Sequence, residues 1–281
     1  MESVRPSPIA GTWYPGHPEM LRHTVRSLLD EARVPVIRGE LLGLISPHAG
    51  IQYSGATAAH AYKLVEGRAF ERVIILGPSH FAYVGNVATT PVQAWETPLG
   101  QVPLDWEFLQ KLSEHITIYQ VGRDREHSIE MQLPFLQVAI GEFRLVPLLM
   151  SAYTTEAAQA VGRALAKLVN PKTDLLIAST DLSHLNDYRE VEQRDAEMIT
   201  ALTAFDIEGF ARIAEDPSCT SCGRFPVLSL LYAAKALGAT DLLKLHYTHS
   251  GEVTGQLVVG QYTVGYLAAA IVRYATGDLR G

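Results

Sequence analysis

Four apolar runs without polar alternation constrain this 281-residue chain more than any other feature. They are LLGLI (41–45), RVIIL (72–76), FRLVPLLM (143–150) and DLLIAST (174–180). Their Val, Ile and Leu content is typical of strands that are buried on both faces of a sheet. Because segments with helical spacing follow them, the sequence predicts an α/β fold with three layers, α/β/α, around a mostly parallel, mixed central sheet.

The remaining apolar segments predict the helices of these layers. Pro134 either bends one of the helices or marks its true start. Two further apolar segments, 242–250 and 256–275, end the chain, and the whole of 1–281 is expected to form a single domain. Helices are predicted at 17–32, 56–67, 104–115, 127–140, 154–169, 188–204, 206–215 and 224–237.

Composition restricts the partners of the protein. The formal net charge is −7, and the 23 Lys and Arg residues are scattered, which argues against nucleic acid or an anionic membrane as the partner. No run approaches the roughly 18 apolar residues of a membrane span, and the N-terminus lacks the apolar stretch of a signal peptide. We therefore expect a cytoplasmic protein. Its two cysteines, Cys219 and Cys222, are too few for a disulfide framework.

Three predicted strands end in loops that contain histidine. The first leads into His48, the second into His80, and the run 174–180 leads into Asp181 and His184. His48 and His80 are 32 residues apart, about one βαβ unit, so a right-handed crossover brings both loops to one edge of the sheet. Ligands of open α/β sheets bind outside the carboxyl ends of the strands, so the three histidines are expected to face one crevice.

Metal binding is the chemistry that this arrangement favours. Neutral imidazole is a common metal ligand, and two imidazoles on strand ends leave positions for a thiolate or a carboxylate. Cys222 lies just before the helix predicted at 224–237, where a helix N-terminus lowers the pKa of a cysteine. One Cys-x-x-Cys pair does not make a zinc ribbon, so Cys219 is interpreted as a free thiol.

A hydrolase is a competing interpretation, built on Ser79 and His80 or on Asp181, Ser183 and His184. Adjacent residues of one loop cannot form a triad with themselves. The sequence also lacks the G-x-S-x-G motif of a nucleophile elbow. The hydrolase interpretation is therefore the weaker one.

Other polar and aromatic residues receive simpler interpretations. His60 lies on a predicted helix and is interpreted as a hydrogen-bonded core histidine, and Glu126, in the charged run RDREH, as a solvated charge. Tyr53 and Trp13 lie in or near loops next to the strand ends, where an aromatic side chain is expected to contact a ligand.

Five ordered segments resemble the signature segments of the Memo family, whose prokaryotic members are also called AmmeMemoRadiSam system protein B. The resemblance extends over most of the chain, from AGTWYPG (10–16) to the Cys-Gly-Arg motif. It implies a fold similar to that of the class III extradiol (LigB-like) non-haem iron dioxygenases, with a metal crevice at the strand ends. The segments are PHAGIQYSG (47–55), ILGPSH (75–80), EHSIEMQLPFL (126–136), STDLSH (179–184) and CGRFPV (222–227).

Site residues follow from this resemblance position by position. It implies that His48, His80 and Cys222 bind one transition-metal ion. His184 matches the acid/base residue of the dioxygenases, and Asp181 lies beside it in the sequence.

The EHSIEMQLP segment adds candidates to the same crevice. His127 is a third catalytic candidate, and a neighbour such as Asp181 or His127 is expected to set the tautomer of His184. Glu130, with Tyr53 and Trp13, is expected to contact the substrate.

One departure from the dioxygenases bears on the metal and the activity. Cys222 stands where those enzymes have a carboxylate, which favours iron that tolerates a thiolate, or copper, with zinc as the next choice. We expect metal-dependent redox or oxygen chemistry on a small substrate; a peptide-binding adaptor using the same crevice is the alternative. The family name also implies AMMECR-type and radical-SAM proteins as partners.

Overall fold

A computed structural model describes residues 2–122 and 125–275; residues 1, 123–124 and 276–281 of the predicted domain lie outside the described residues. The strands are β1 (Glu2–Arg5), β2 (Glu40–Ser46), β3 (Arg72–Pro78), β4 (Val87–Thr89), β5 (Val92–Thr97), β6 (Gly100–Pro103), β7 (Tyr119–Gln120), β8 (Arg144–Met150), β9 (Asp174–Ser179), β10 (His184–Leu185), β11 (Asp241–His249) and β12 (Thr263–Arg273). The helices are α1 (Pro18–Glu31), α2 (Ile51–Lys63), α3 (Trp106–Ser113), α4 (Leu133–Ala139), α5 (Thr155–Leu168), α6 (Tyr188–Thr203), α7 (Ile207–Glu215), α8 (Arg224–Ala236) and α9 (Ser250–Thr254), with a 3₁₀ helix at Glu130–Gln132.

Nine of the described strands form one mixed sheet, in the order β10-β12-β2-β9-β3-β8-β4-β7, with β11 paired to β12. Strands β2, β9, β3 and β8 are parallel to one another. Strand β12 runs antiparallel to β2 and β11, and β4 runs antiparallel to β8. Because β9 lies between β2 and β3, the loops that follow these three strands are neighbours at one edge of the sheet.

Successive residues of the central strands pack on opposite faces of the sheet. In β3, Val73 and Ile75 contact the core that α1, α2 and α4 form on one face. Ile74 and Leu76 contact the core that α3, α5, α6, α7 and α8 form on the other. All four side chains are inaccessible to solvent. The predicted three-layer α/β/α fold with a mostly parallel centre is therefore confirmed.

Two predicted helices differ from the observed ones by more than two residues at one or both ends. The helix predicted at 56–67 begins at Ile51, whose N–H donates to the Trp13 carbonyl, and ends at Lys63. The loop that carries His48 is consequently only four residues long. The helix predicted at 127–140 consists of the 3₁₀ helix followed by α4, and Pro134 lies in the first turn of α4, where its missing N–H costs no helix bond.

The sequence patterns did not predict a second, three-stranded sheet. Strand β1 pairs in parallel with β5, and β5 pairs antiparallel with β6. Four residues are too few for β1 to show an alternating pattern. The Arg5 guanidinium of β1 lies over the Trp95 ring, 4.0 Å from its centroid, and donates to the Glu126 carbonyl at 2.5 Å. Arg5 therefore joins β1 to the segment that contains Glu126.

Among residues 2–122 and 125–275, no helix has the length and apolar character to cross a membrane.

Candidate metal centre

The three predicted metal ligands meet at the carboxyl edge of the central strands. His48 follows β2, His80 follows β3, and Cys222 precedes α8. One donor atom from each residue lies within 4.8 Å of the other two. Cys222 Sγ is 3.3 Å from His48 Nε2, and the His48 and His80 ring centroids are 5.3 Å apart. The structure therefore brings the predicted ligands together.

These separations fit one transition-metal ion. In tetrahedral coordination by nitrogen and sulfur, the donor atoms are about 3.3 to 3.6 Å apart. The 3.3 Å between Cys222 Sγ and His48 Nε2 agrees with this range. Donors at the 4.8 Å limit would approach one another by about 1 Å on binding. Two imidazoles and a thiolate form a donor set that suits copper, zinc or iron.

A chain of hydrogen bonds behind His48 fixes which ring nitrogen faces the crevice. His48 Nδ1 is 2.8 Å from Ser179 Oγ. The Ser179 hydroxyl donates its only proton to the Ser128 carbonyl, at 2.7 Å, and accepts a bond from Gln132 Nε2, at 2.8 Å. Ser179 must therefore accept from His48 Nδ1–H, which leaves the Nε2 lone pair facing Cys222.

The charge state of His48 also suits a ligand. Burial, reinforced by the neighbouring imidazoles, lowers the pKa of His48 well below its ordinary value. The ring is therefore neutral at physiological pH, as metal coordination requires.

Glu126 anchors His80 with a carboxylate. Oε1 is 2.9 Å from His80 Nδ1 and accepts the backbone N–H groups of His127 and Ser128, while Oε2 accepts the His80 N–H at 2.6 Å. Burial alone would raise the pKa of Glu126, but the hydrogen bonds from the His80 ring, the His80 N–H and the Ser128 N–H act against it, and that pKa lies well below its usual range.

The interpretation of Glu126 as a solvated charge is therefore wrong, since only 2% of the residue is exposed. The charged residues around Glu126 in the sequence do not indicate that its carboxylate is buried. Burial is possible because backbone N–H groups donate hydrogen bonds to the carboxylate.

Cys222 is held at the end of β9. Its Sγ accepts the Asp181 N–H at 3.3 Å and lies opposite the His48 Nε2 lone pair. Burial, together with the Asp181 charge, raises the pKa of Cys222, so the expectation that the helix N-terminus would lower it is wrong for the metal-free protein. Desolvation disfavours the thiolate, and a metal ion would take the place of the thiol proton.

Gly223 permits the close approach of Cys222 to β9. A Cβ atom at this position would lie 2.3 Å from the Ser179 carbonyl oxygen and 2.5 Å from Thr180 Cβ. The Gly223 N–H donates to Thr180 Oγ1 at 3.0 Å, which fixes the start of α8 against the strand end. A residue without a side chain is therefore required next to the cysteine.

Two backbone carbonyls hold the His184 ring at its Nδ1. Its Nδ1 is 2.9 Å from the Leu182 carbonyl oxygen and 3.1 Å from the Thr220 carbonyl oxygen. Carbonyl oxygens only accept hydrogen bonds, so Nδ1 carries the proton. The expectation that Asp181 or His127 sets this tautomer is wrong, because the two backbone carbonyls set it.

Asp181 connects two of the ligand-bearing segments. Its carboxylate accepts the backbone N–H of His48 at 2.8 Å, and its own N–H donates to Cys222 Sγ. The residue is 4% exposed, and burial raises the pKa of Asp181 although the hydrogen bonds oppose the shift. Asp181 thus keeps His48 and Cys222 at a fixed separation.

His127 and Trp13 lie beside His80. The His127 ring stacks on the His80 ring, with 4.7 Å between the two ring centroids. The ring centroids of Trp13 and His127 are 4.2 Å apart. Burial lowers the pKa of His127 to about 4, so this ring is neutral at physiological pH. Tyr53 lies in the first turn of α2 and is 40% exposed.

Glu130 lies in a buried network rather than on an open surface. Its Oε2 is 2.6 Å from Arg5 Nη1, and its Oε1 accepts bonds from Ser7 at 2.5 Å and Tyr14 at 2.6 Å. As a substrate contact, Glu130 would have to give up one of these bonds. The network instead joins the N-terminal segment to the segment that begins at Glu126.

The supporting residues Glu126, Gln132 and Ser179 were not identified as part of the site from the sequence. All three lie within the segments EHSIEMQLPFL and STDLSH. Their proximity to the candidate histidines in those segments was the available signal. Their partners lie in other loops, so their hydrogen bonds become visible only in the fold.

Comparison with known proteins agrees with the fold and with the motifs. A family model described as Memo-like protein matches residues 5–270. A solved structure of an uncharacterized protein from Escherichia coli K12 is similar in fold, with a TM-score of 0.55 and 14% sequence identity, covering 80% of this chain and 99% of that chain.

Full-length relatives give the same result. A MEMO1 family protein of Methanopyrus kandleri is 37% identical over 279 residues, covering 94% of this chain and 98% of that protein. A MEMO1 family protein of Nitrosopumilus maritimus is 34% identical over 274 residues, covering 94% of this chain and all of that protein. The chain therefore belongs to the Memo family.

Proposed function

We propose that the chain binds one transition-metal ion through His48, His80 and Cys222 and carries out redox or oxygen chemistry on a small substrate. Iron and copper are the first choices of metal, and zinc the next. The supporting observation is the convergence of three donor atoms within 4.8 Å, with the other ring nitrogens of both histidines engaged by Ser179 and Glu126.

The chain's own groups would hold and move protons around the metal. A bound iron or copper ion would supply electron transfer to dioxygen. His184 Nε2 would accept a proton from the substrate and later return it, because its Nδ1 proton is retained by carbonyl oxygens. His127, neutral at physiological pH, would be a second proton acceptor, and Asp181 would maintain the ligand geometry.

Aromatic side chains would contact the substrate at the mouth of the crevice. Trp13 and Tyr53 are the proposed contacts, whereas Glu130 would take part only if its buried network opened. Phe81 is 61% exposed, and its ring centroid lies 6.0 Å from that of His127. Tyr262 is 59% exposed and lies 6.2 Å from His184 on the same measure.

These exposed rings also support a second candidate function. A peptide with apolar side chains would bind over the same aromatic mouth without being turned over, as an adaptor requires. Surfaces of AMMECR-type or radical-SAM partner proteins would meet the same rings. We further propose that residues 1–281 form one domain and that the protein is cytoplasmic, where its two free thiols would remain reduced.

Metal content tests the proposal directly. Protein without a tag is purified anaerobically, and its metals are measured by mass spectrometry for the wild type and for His48→Ala, His80→Ala and Cys222→Ala. His60→Ala and Cys219→Ala are matched controls, since they remove the same donor types outside the centre. We expect near-stoichiometric metal in the wild type and in both controls, and its loss in each of the three site variants.

The catalytic part of the proposal needs a second readout. His184→Ala should retain the metal but lose dioxygen uptake when ascorbate is the electron donor. A wild type that is metal-free as purified and takes up no iron, copper or zinc on titration would refute the metal centre. A metal-loaded wild type that consumes no dioxygen in this assay, but binds apolar peptides, would favour the adaptor.

A further inference from the structure

We infer that Glu126 is a positioning residue for His80: its carboxylate keeps the ring proton on Nδ1 and thereby directs the Nε2 lone pair towards the metal position. This inference rests on the proposed metal centre. It assigns a role to a residue whose sequence context indicates only a solvated charge.

The hydrogen bonds around Glu126 leave its carboxylate little freedom. Three backbone N–H groups, those of His80, His127 and Ser128, donate to its two oxygens at 2.6 to 2.9 Å. These donors belong to the loop after β3 and to the segment before α4. The carboxylate therefore cannot rotate away from the His80 ring without breaking several bonds in a buried environment.

The fixed carboxylate selects one tautomer of His80. A neutral imidazole carries one proton, on either Nδ1 or Nε2. If the proton were on Nε2, the Nδ1 lone pair would face Glu126 Oε1 at 2.9 Å, and two acceptors would repel each other. With the proton on Nδ1, the same contact is a charge-assisted hydrogen bond, and Nε2 is free to coordinate.

A second histidine and glutamate pair in this chain has the opposite arrangement. His249 Nε2 is 3.3 Å from Glu192 Oε1, and His249 Nδ1 accepts the Glu252 N–H at the start of α9. Here Nε2 carries the proton. Glu192 is 47% exposed, so this pair provides a matched control for removal of a carboxylate beside a histidine.

The tautomer can be measured in metal-free protein. Long-range ¹H–¹⁵N correlation spectra of histidine-labelled protein distinguish a protonated Nδ1 from a protonated Nε2. We expect the wild-type His80 to carry its proton on Nδ1. In Glu126→Gln, the amide has one acceptor oxygen for several N–H donors, so we expect a population with the proton on Nε2. Glu192→Gln should leave the His80 signals unchanged.

Metal affinity supplies a second, independent readout. Titration with Co²⁺ should show affinity reduced about tenfold to a hundredfold in Glu126→Gln and unchanged in Asp30→Asn, whose carboxylate is 60% exposed and lies outside the groups of candidate donors. Glu126→Asp keeps the charge and should recover part of the affinity, and circular dichroism checks that each variant is folded. If Glu126→Gln does not fold, the wild-type tautomer and the Glu126→Asp affinity decide.

Failure of this inference and failure of the metal centre give different results. A wild-type His80 with its proton on Nε2 overturns the inference even if metal binds. An unchanged tautomer together with unchanged Co²⁺ affinity in a folded Glu126→Gln protein overturns it as well. A wild type that binds no Co²⁺, iron, copper or zinc refutes the metal centre, whatever the tautomer of His80.

Discussion

Replacing Asp195 by asparagine should remove a specific pH dependence of stability. Asp195 lies on α6 and is inaccessible to solvent. Its carboxylate accepts the Ser183 N–H at 2.9 Å and the Tyr247 hydroxyl at 2.9 Å, and so holds the loop that carries His184. Burial raises the pKa of Asp195 from 3.8 to about 6, although both hydrogen bonds act in the opposite direction.

The sign and size of the effect follow from proton linkage. Because the folded state holds this proton more tightly than the unfolded state, the free energy of unfolding falls as the pH rises through this range. The stabilisation that comes from the proton on Asp195 is complete below the ordinary pKa of 3.8. It is lost as the pH rises past the pKa of about 6 in the folded state. Between pH 4 and pH 7 the loss amounts to about 2 kcal/mol.

Urea unfolding of metal-free protein between pH 4 and pH 8 measures this loss. Asparagine retains an acceptor for the Ser183 N–H but cannot ionise. The stability of Asp195→Asn relative to the wild type should therefore rise by about 2 kcal/mol between pH 4 and pH 7. Asp30→Asn, at a site that is 60% exposed, is the control for loss of a surface carboxylate. A difference that stays constant with pH, or that changes in the opposite direction, would refute the reasoning.

Two further substitutions test the packing around the centre. Gly223→Ala should lower the free energy of unfolding by about 2 kcal/mol and weaken Co²⁺ binding, because its Cβ would overlap the end of β9. Gly122→Ala is the control, since no atom lies within 4 Å of the Cβ added there. Equal behaviour of the two variants in urea unfolding and Co²⁺ titration would contradict the prediction. Arg5→Ala should lower the free energy of unfolding by about 3 kcal/mol in urea, because it leaves the Glu130 carboxylate buried without its cation. Arg22→Ala, at an exposed site, is the control and should change little. A loss below about 1 kcal/mol for Arg5→Ala would show that Glu130 does not need its partner.

The fold could be predicted where local patterns decide it. The segments 73–76 and 175–178 are apolar throughout because both faces of β3 and β9 are covered, so their residue types alone indicate buried parallel strands. The position of β9 between β2 and β3 could not be predicted, since pairing partners are set by packing between distant segments. Strand β1 was missed because four residues carry too little pattern.

The candidate metal centre could likewise be predicted only in part from the sequence. The donors His48, His80 and Cys222 could be proposed because each occurs at a strand or helix end within a recognisable segment. The residues that prepare them could not, because Glu126 and Ser179 act through hydrogen bonds to distant loops. The direction of the Cys222 pKa also depends on burial, which the helix N-terminus pattern does not report.

The strand order explains why two of the three donors depend on one strand end. At the carboxyl end of β9, Ser179 accepts from the His48 ring, Thr180 accepts from Gly223, and Asp181 accepts from the His48 backbone. Because β9 lies next to β2, this end reaches His48 directly, and the close approach at Gly223 brings Cys222 to the same place. His80 follows β3 on the other side of β9 and receives its support from Glu126 instead. Changes at the end of β9 should therefore disturb His48 and Cys222 together, whereas changes at Glu126 should act on His80.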